Sequence, residues 1–150
     1  MPVAQERPDD EILRIGKTWE SALDDKGFRT PPSPITMFSE RVTSTLAFTP
    51  GSKTAVETLT FAGSFKVHDA TYECHARAQV TVAVAYGRHA DEAAVEVRRP
   101  PVQIPRECNM PGFPEPMLDL RETAARFALR GDRLVPIAPA TEKRAYLPIQ

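Results

Sequence analysis

The chain has 150 residues, a net charge of −1 and 26% charged residues of mixed sign. That length suits one domain, able to bury roughly 70% of the surface its unfolded form exposes. The near-zero charge gives no field to steer nucleic acid or an acidic membrane, and two cysteines are too few for a disulfide framework.

The N-terminus, MPVAQERPDD, has no apolar signal-peptide core, and no stretch approaches the roughly 20 apolar residues of a membrane span. A cytoplasmic protein without a signal peptide is expected, or a virion protein if the gene is phage-encoded. A reducing compartment then argues against a Cys74–Cys108 bridge, which export would make plausible.

From Asp10 to Lys26, Ile12, Ile15, Trp19 and Leu23 recur at helical spacing, with Asp9 or Asp10 as N-cap and Gly27 as the C′ residue. A helix over 10–26 is expected. TPPSP at 30–34 reads as a stiff extended linker.

Between Met37 and Arg98 the period falls to 2. A loose first run (Phe38, Val42, Leu46, Phe48) leads to a turn at Pro50-Gly51. In the second, Leu59, Phe61, Gly63, Phe65 and Val67 alternate with polar or small residues. Val56 and Glu57 sit out of phase with it, so a β-bulge is expected there. The third run alternates from Tyr72 through Cys74, Ala76 and Ala78 to Tyr86, and the fourth carries Ala93, Val95 and Val97. Turns at His68–Thr71 and Gly87–Ala90 pair Phe65 with Cys74, Lys66 with Glu73, and Val82 with Val95.

Pro100-Pro101 ends the sheet. A second helix is expected over 116–130, with Met117, Leu120, Ala124 and Phe127 as its stripe and Gly131 as C′. Residues 132–150 are proline-broken yet carry apolar residues, and read as an extended arm. The expected fold is therefore one α+β domain: a four-stranded antiparallel β-meander over 37–98, an N-terminal helix, a C-terminal helix and a Pro-rich C-terminal arm.

Catalytic and metal chemistry find little support in these residues. Cys74 and His75 are neighbours on a strand and so point to opposite faces, where they cannot converge on one atom. His68, His75, His89 and Cys108 lack metal-ligand spacing. No nucleophile elbow or glycine-rich phosphate loop is present. Asp24-Asp25 and Asp91-Glu92 read as solvated element ends. Arg77, Arg98 and Arg99 form a small basic patch without interleaved aromatics, against nucleic-acid binding. No catalytic centre, metal or cofactor is expected, nor a nucleic-acid or membrane partner.

The third strand runs about sixteen residues, or roughly 50 Å, which demands strong coiling or pairing beyond one subunit. The leading expectation is a non-catalytic assembly subunit, a homo-oligomer or part of a hetero-assembly, with a phage-type virion or tail component as the setting. Its contact surface would combine His75, Arg77 and Gln79 on the sheet with Leu134, Val135, Ile137, Tyr146, Leu147 and Ile149 on the arm.

Val80-Thr81-Val82 with Gly87, Arg121-Glu122, Arg130-Gly131 and the arm Val135-Pro136-Ile137-Ala138-Pro139 follow an order that resembles SecB-like export chaperones. The resemblance implies a tetrameric holdase binding unfolded polypeptides along grooves. A third expectation is a small-ligand-binding domain or enzyme with a pocket between sheet and helices.

Overall fold

The computed structural model describes residues 7–28, 35–67, 70–109, 117–138 and 144–149. Among the described residues, one short helix, α1 (Pro8–Ile15), precedes eleven strands. In chain order these are β1 (Thr18–Phe28), β2 (Ile35–Phe48), β3 (Thr54–Val67), β4 (Ala70–His89), β5 (Glu92–Arg99) and β6 (Val102–Pro105). There follow β7 (Glu107–Cys108), β8 (Met117–Leu120), β9 (Thr123–Arg130), β10 (Arg133–Ala138) and β11 (Leu147–Ile149).

The main sheet runs β10-β9-β5-β4-β3-β2-β1-β11, every pairing antiparallel, with β7 docked on β4 and with β6 and β8 paired separately. The C-terminal segment nearly closes this path into a barrel. Residues 147–149 pair with β1, while Tyr146 and Leu134 of β10 exchange two backbone hydrogen bonds of 2.9 Å. Near-closure shortens the exposed sheet edges that an open sheet would leave.

This overturns the expected α+β meander with two flanking helices and a free arm. Only Pro8–Ile15 of the first helical segment is helical; Thr18–Phe28 pairs with β2 along its whole length. The misreading has a simple origin. Trp19 and Leu23 are four apart, a spacing that satisfies both a helical stripe and the even period of a strand. Ser21, buried between them in sequence, shows which period won.

The second expected helix is β8 and β9. TAARFALR favours helix by propensity, but lying between β5 and β10 supplies it with two ladders, and tertiary pairing overrides propensity. Gly131, expected as a helix cap, instead takes φ +64° in a two-residue hairpin loop joining Arg130 to Arg133. The arm is β10 and β11. Pro136 and Pro148 lie on the strands that end the sheet path, where a missing N–H is tolerated.

Within the meander the faces are as the alternation requires, but the registers slip by even steps. Cys74 lies opposite Gly63 and Phe65 opposite Tyr72, two residues from the expected pairing; Glu73 faces Ser64 instead of Lys66. Val84 pairs with Val97 and Tyr86 with Val95, a shift of four, because the chain turns at Ala90-Asp91. An even slip leaves each side chain on its face, so burial pattern alone cannot detect it. The turn expected at His68 falls partly on residues outside those described. Pro50-Gly51 does form the central pair of a turn, with Ser52 N–H donating to Thr49 O at 3.1 Å and Gly51 at φ +74°.

The barrel interior is filled by Trp19, Leu46, Phe48, Leu59, Val82, Val95, Phe127 and Leu134, all nearly or fully buried. Ile12 of α1 joins this core, and α1 packs on β4 and β5 with an Arg88–Glu11 ion pair of 2.7 Å. The helix thus closes the end where β4 finishes and β5 begins. At the other end β5 leaves β4 beyond Arg98, passes Pro100-Pro101, and returns as β7 beside Cys74. No helix among the described residues is long and apolar enough to cross a membrane.

Candidate ligand cavity at the end of the barrel opposite the helix

On β3, Ala55, Glu57 and Leu59 share the inward face, and all three are buried. The expected bulge at Val56-Glu57 is therefore absent: register with β2 runs unbroken from Phe48↔Ala55 to Met37↔Lys66. Val56 is 43% exposed and Glu57 4% exposed. The break in the apolar pattern marks a carboxylate placed inside the barrel.

Two partners hold it, one of them backed by a third group. Ser44 Oγ donates to Glu57 Oε2 at 2.7 Å, and Tyr146 Oη donates to Ser44 Oγ at 2.7 Å. Arg99 Nη1 donates to Glu57 Oε1 at 3.2 Å, and the Arg99 side chain is only 17% exposed. The burial of a carboxylate is tolerable only with such pairing, since hydrogen bonds to charged groups contribute roughly 1.5–3 kcal/mol each against a large desolvation cost.

Each residue is placed by a different strand. Ser44 lies on β2, opposite Ser21 of β1; Glu57 lies on β3; Arg99 extends the inward parity of Val95 and Val97 at the end of β5. Tyr146 precedes β11 and reaches the site because the Leu134–Tyr146 bridge closes the barrel. Its ring stands edge-on to Phe127, with centroids 5.2 Å apart and planes at 86°.

These groups border a cavity of about 150 Å³. Its lining combines apolar Leu46, Val97, Ala125 and Phe127 with polar Glu57, Arg99, Arg144 and Tyr146. Arg144 also donates to Val42 O at 3.5 Å. Among the described residues, four buried side-chain polar atoms have no hydrogen-bond partner: Arg99 Nε, Ser21 Oγ, Trp19 Nε1 and Tyr86 Oη. An unsatisfied buried donor costs about 1–3 kcal/mol.

The residues singled out from sequence fall elsewhere. His75, Arg77 and Gln79 are exposed on the outer face of β4, as the alternation requires, and His75 Nε2 lies 3.0 Å from Glu107 Oε2. The arm residues do not form one surface. Leu134 and Tyr146 are buried, Val135 and Ile137 half-buried, and Leu147 and Ile149 exposed on β11. The basic patch also dissolves, because Arg99 turns inward while Arg77 and Arg98 stay outside. Among the described residues no group of three His, Cys, Asp or Glu side chains is placed to hold a metal ion.

Cys74 is 6% exposed and faces inward beside Phe65, but as half of a Cys74–Cys108 disulfide, not as an isolated thiol. β7 brings Cys108 directly opposite Cys74, with Cα atoms 4.1 Å apart. Asn109 fastens the same strap, its N–H donating to Glu73 O and its side-chain oxygen accepting from Glu73 N–H, both at 3.0 Å.

Sequence reasoning missed Glu57, Arg99, Ser44 and Arg144. The available signal was positional: a charged residue at inward parity between apolar neighbours on a strand. Comparison of the chain with protein-family models, curated proteins and solved structures finds no match.

Proposed function

We propose that the protein is a small-ligand-binding β-barrel whose binding site is the cavity bordered by Glu57, Arg99 and Tyr146. The observation carrying this reading is a buried carboxylate, hydrogen-bonded at both oxygens, beside a space of about 150 Å³ lined by both apolar and polar residues. Barrels of about eight strands have an interior sized either to be filled by side chains or to hold one small ligand. Cavities with an apolar lining and a few convergent polar groups are the usual form of small-molecule sites. Both Glu57 oxygens already accept hydrogen bonds, which favours a binding role over proton transfer.

The test is a panel of one-ring compounds, neutral, anionic and cationic, followed by calorimetry and by fluorescence of Trp19, the sole tryptophan. Saturable one-to-one binding of at least one class is expected, weakened at least tenfold by Ala125→Phe, which fills the cavity. Absence of saturable binding across the panel would overturn the proposal.

The assembly-subunit reading keeps one supporting observation, the exposed Leu147 and Ile149 on β11. Light scattering decides it: a monomer at high concentration removes that support.

A further inference from the structure

Beyond the cavity, and independently of it, we infer that the outer face of β1, β2, β3 and β4 is a self-complementary interface for a second copy of this chain. Cross-strand register assembles the surface. Ile149, Thr18, Ala47 and Val56 stand side by side on β11, β1, β2 and β3 in one unbroken rung. Leu147 stands one rung along, next to Glu20. Among the described residues five large hydrophobic side chains are exposed, and three of them, Val56, Leu147 and Ile149, share these two adjacent rungs. Apolar surface gathered in this way marks a contact face, where the same residues scattered singly would not.

Charge selects the occupant. The middle of this face is uncharged: Thr43, Thr45 and Ala47 on β2 lie opposite Thr60, Thr58 and Val56 on β3. Each flank carries one charge, Glu20 on β1 and Arg77 on β4, and both side chains are exposed. Among the described residues neither has an ion-pair partner. The next ionisable groups along do pair within the chain, Asp24 with Arg41 at 3.9 Å and His75 with Glu107 at 3.0 Å. A face with a negative flank and a positive flank set evenly about an uncharged middle is complementary to itself. A two-fold axis parallel to the strands, midway between β2 and β3, lays β2 of one copy on β3 of the other and β1 on β4. Ala47 then meets Val56 of the second copy, and Glu20 faces Gln79 with Arg77 one step further along the strand. The two-fold repeats both contacts. The outside of a nearly closed sheet is convex, so the gap widens away from the axis, and the long Glu20 and Arg77 side chains stand where it must be bridged. Such opposed charges fix partner and register more than they add affinity.

Sedimentation equilibrium of the intact chain, at concentrations up to about 1 mM, is expected to show a dimer that weakens as salt is added. Glu20→Arg and Arg77→Glu each bring like charges together at two points, and each should weaken dimerisation at least about tenfold. Combining them reverses both partners and should return the dissociation constant to within about threefold of the parent. Val56→Glu, which puts a charge at the apolar middle, should abolish the dimer. Circular dichroism and unfolding midpoints check that the variants fold; the two charge variants alter exposed side chains and keep the test intact if Val56→Glu does not. A monomer at every concentration would overturn the inference. So would a dimer that neither charge reversal weakens, or a combined variant no stronger than the single ones, and these would place assembly on another face. None of these outcomes touches ligand binding in the cavity, which the calorimetric panel tests separately.

Discussion

Glu57 and Arg99 form a buried pair whose cost in stability can be measured apart from the role proposed for it. Removing one partner strands the other, which for buried pairs costs roughly 3–5 kcal/mol. The Arg99 side chain retains 17% exposure, so Glu57→Gln is expected to lose about 2–3 kcal/mol in urea unfolding. Replacing both by leucine removes the desolvation cost as well, and should leave stability equal or up to about 2 kcal/mol higher. A double variant as unstable as the single would show that the pair is needed for the fold. Tyr86 gives a second residue-scale expectation. Burial, and then the nearby Asp9 carboxylate, push its phenol up to about 12. The folded state therefore keeps a proton that the unfolded state releases near pH 10. This stabilisation is fully present below pH 10 and is lost as pH rises through 12. Absorbance titration at the tyrosinate band should show a late-ionising step that Tyr86→Phe diminishes.

At the scale of elements, the disulfide and the Asn109 contacts hold β7 against β4. Its 34-residue separation gives an expected loss of about 3–4 kcal/mol for Cys74→Ser/Cys108→Ser on the loop-entropy account. Guanidinium unfolding with and without reductant measures it, and an unchanged midpoint on reduction would show that the strap is held by its hydrogen bonds and packing alone. The strand assignments also show where local pattern misleads. Positions 19 and 23 satisfy two periods at once, and TAARFALR prefers helix until β5 and β10 flank it. In β3 the apparent phase error at Glu57 was a buried carboxylate kept at an inward position.

For the whole molecule, the last strand decides whether the sheet is open or nearly closed. Deleting residues 139–150 removes Tyr146, its hydrogen bond to Ser44 and the pairing of β11 with β1. Loss of a buried aromatic alone costs about 3–5 kcal/mol, so the truncated protein should lose cooperative unfolding and bind a hydrophobic dye. A detachable arm would instead leave thermal unfolding unchanged. The long β4 strand needs no neighbouring subunit to account for it. Strand tilt and coiling absorb its 20 residues, which pair with β3 over one part and β5 over another.

By itself the sequence determined the faces of β3, β4 and β5 and the Pro50-Gly51 turn, because alternation and turn chemistry are local properties. It also placed Cys74 inward and His75 outward on β4. Tertiary structure alone decided the registers, the strand identity of β1 and of β8 to β11, the near-closure of the barrel and the meeting of Glu57 with Arg99. Those outcomes depend on which strands lie side by side. Even register slips preserve every face, and residues 42 positions apart in the chain become neighbours only when the sheet curls.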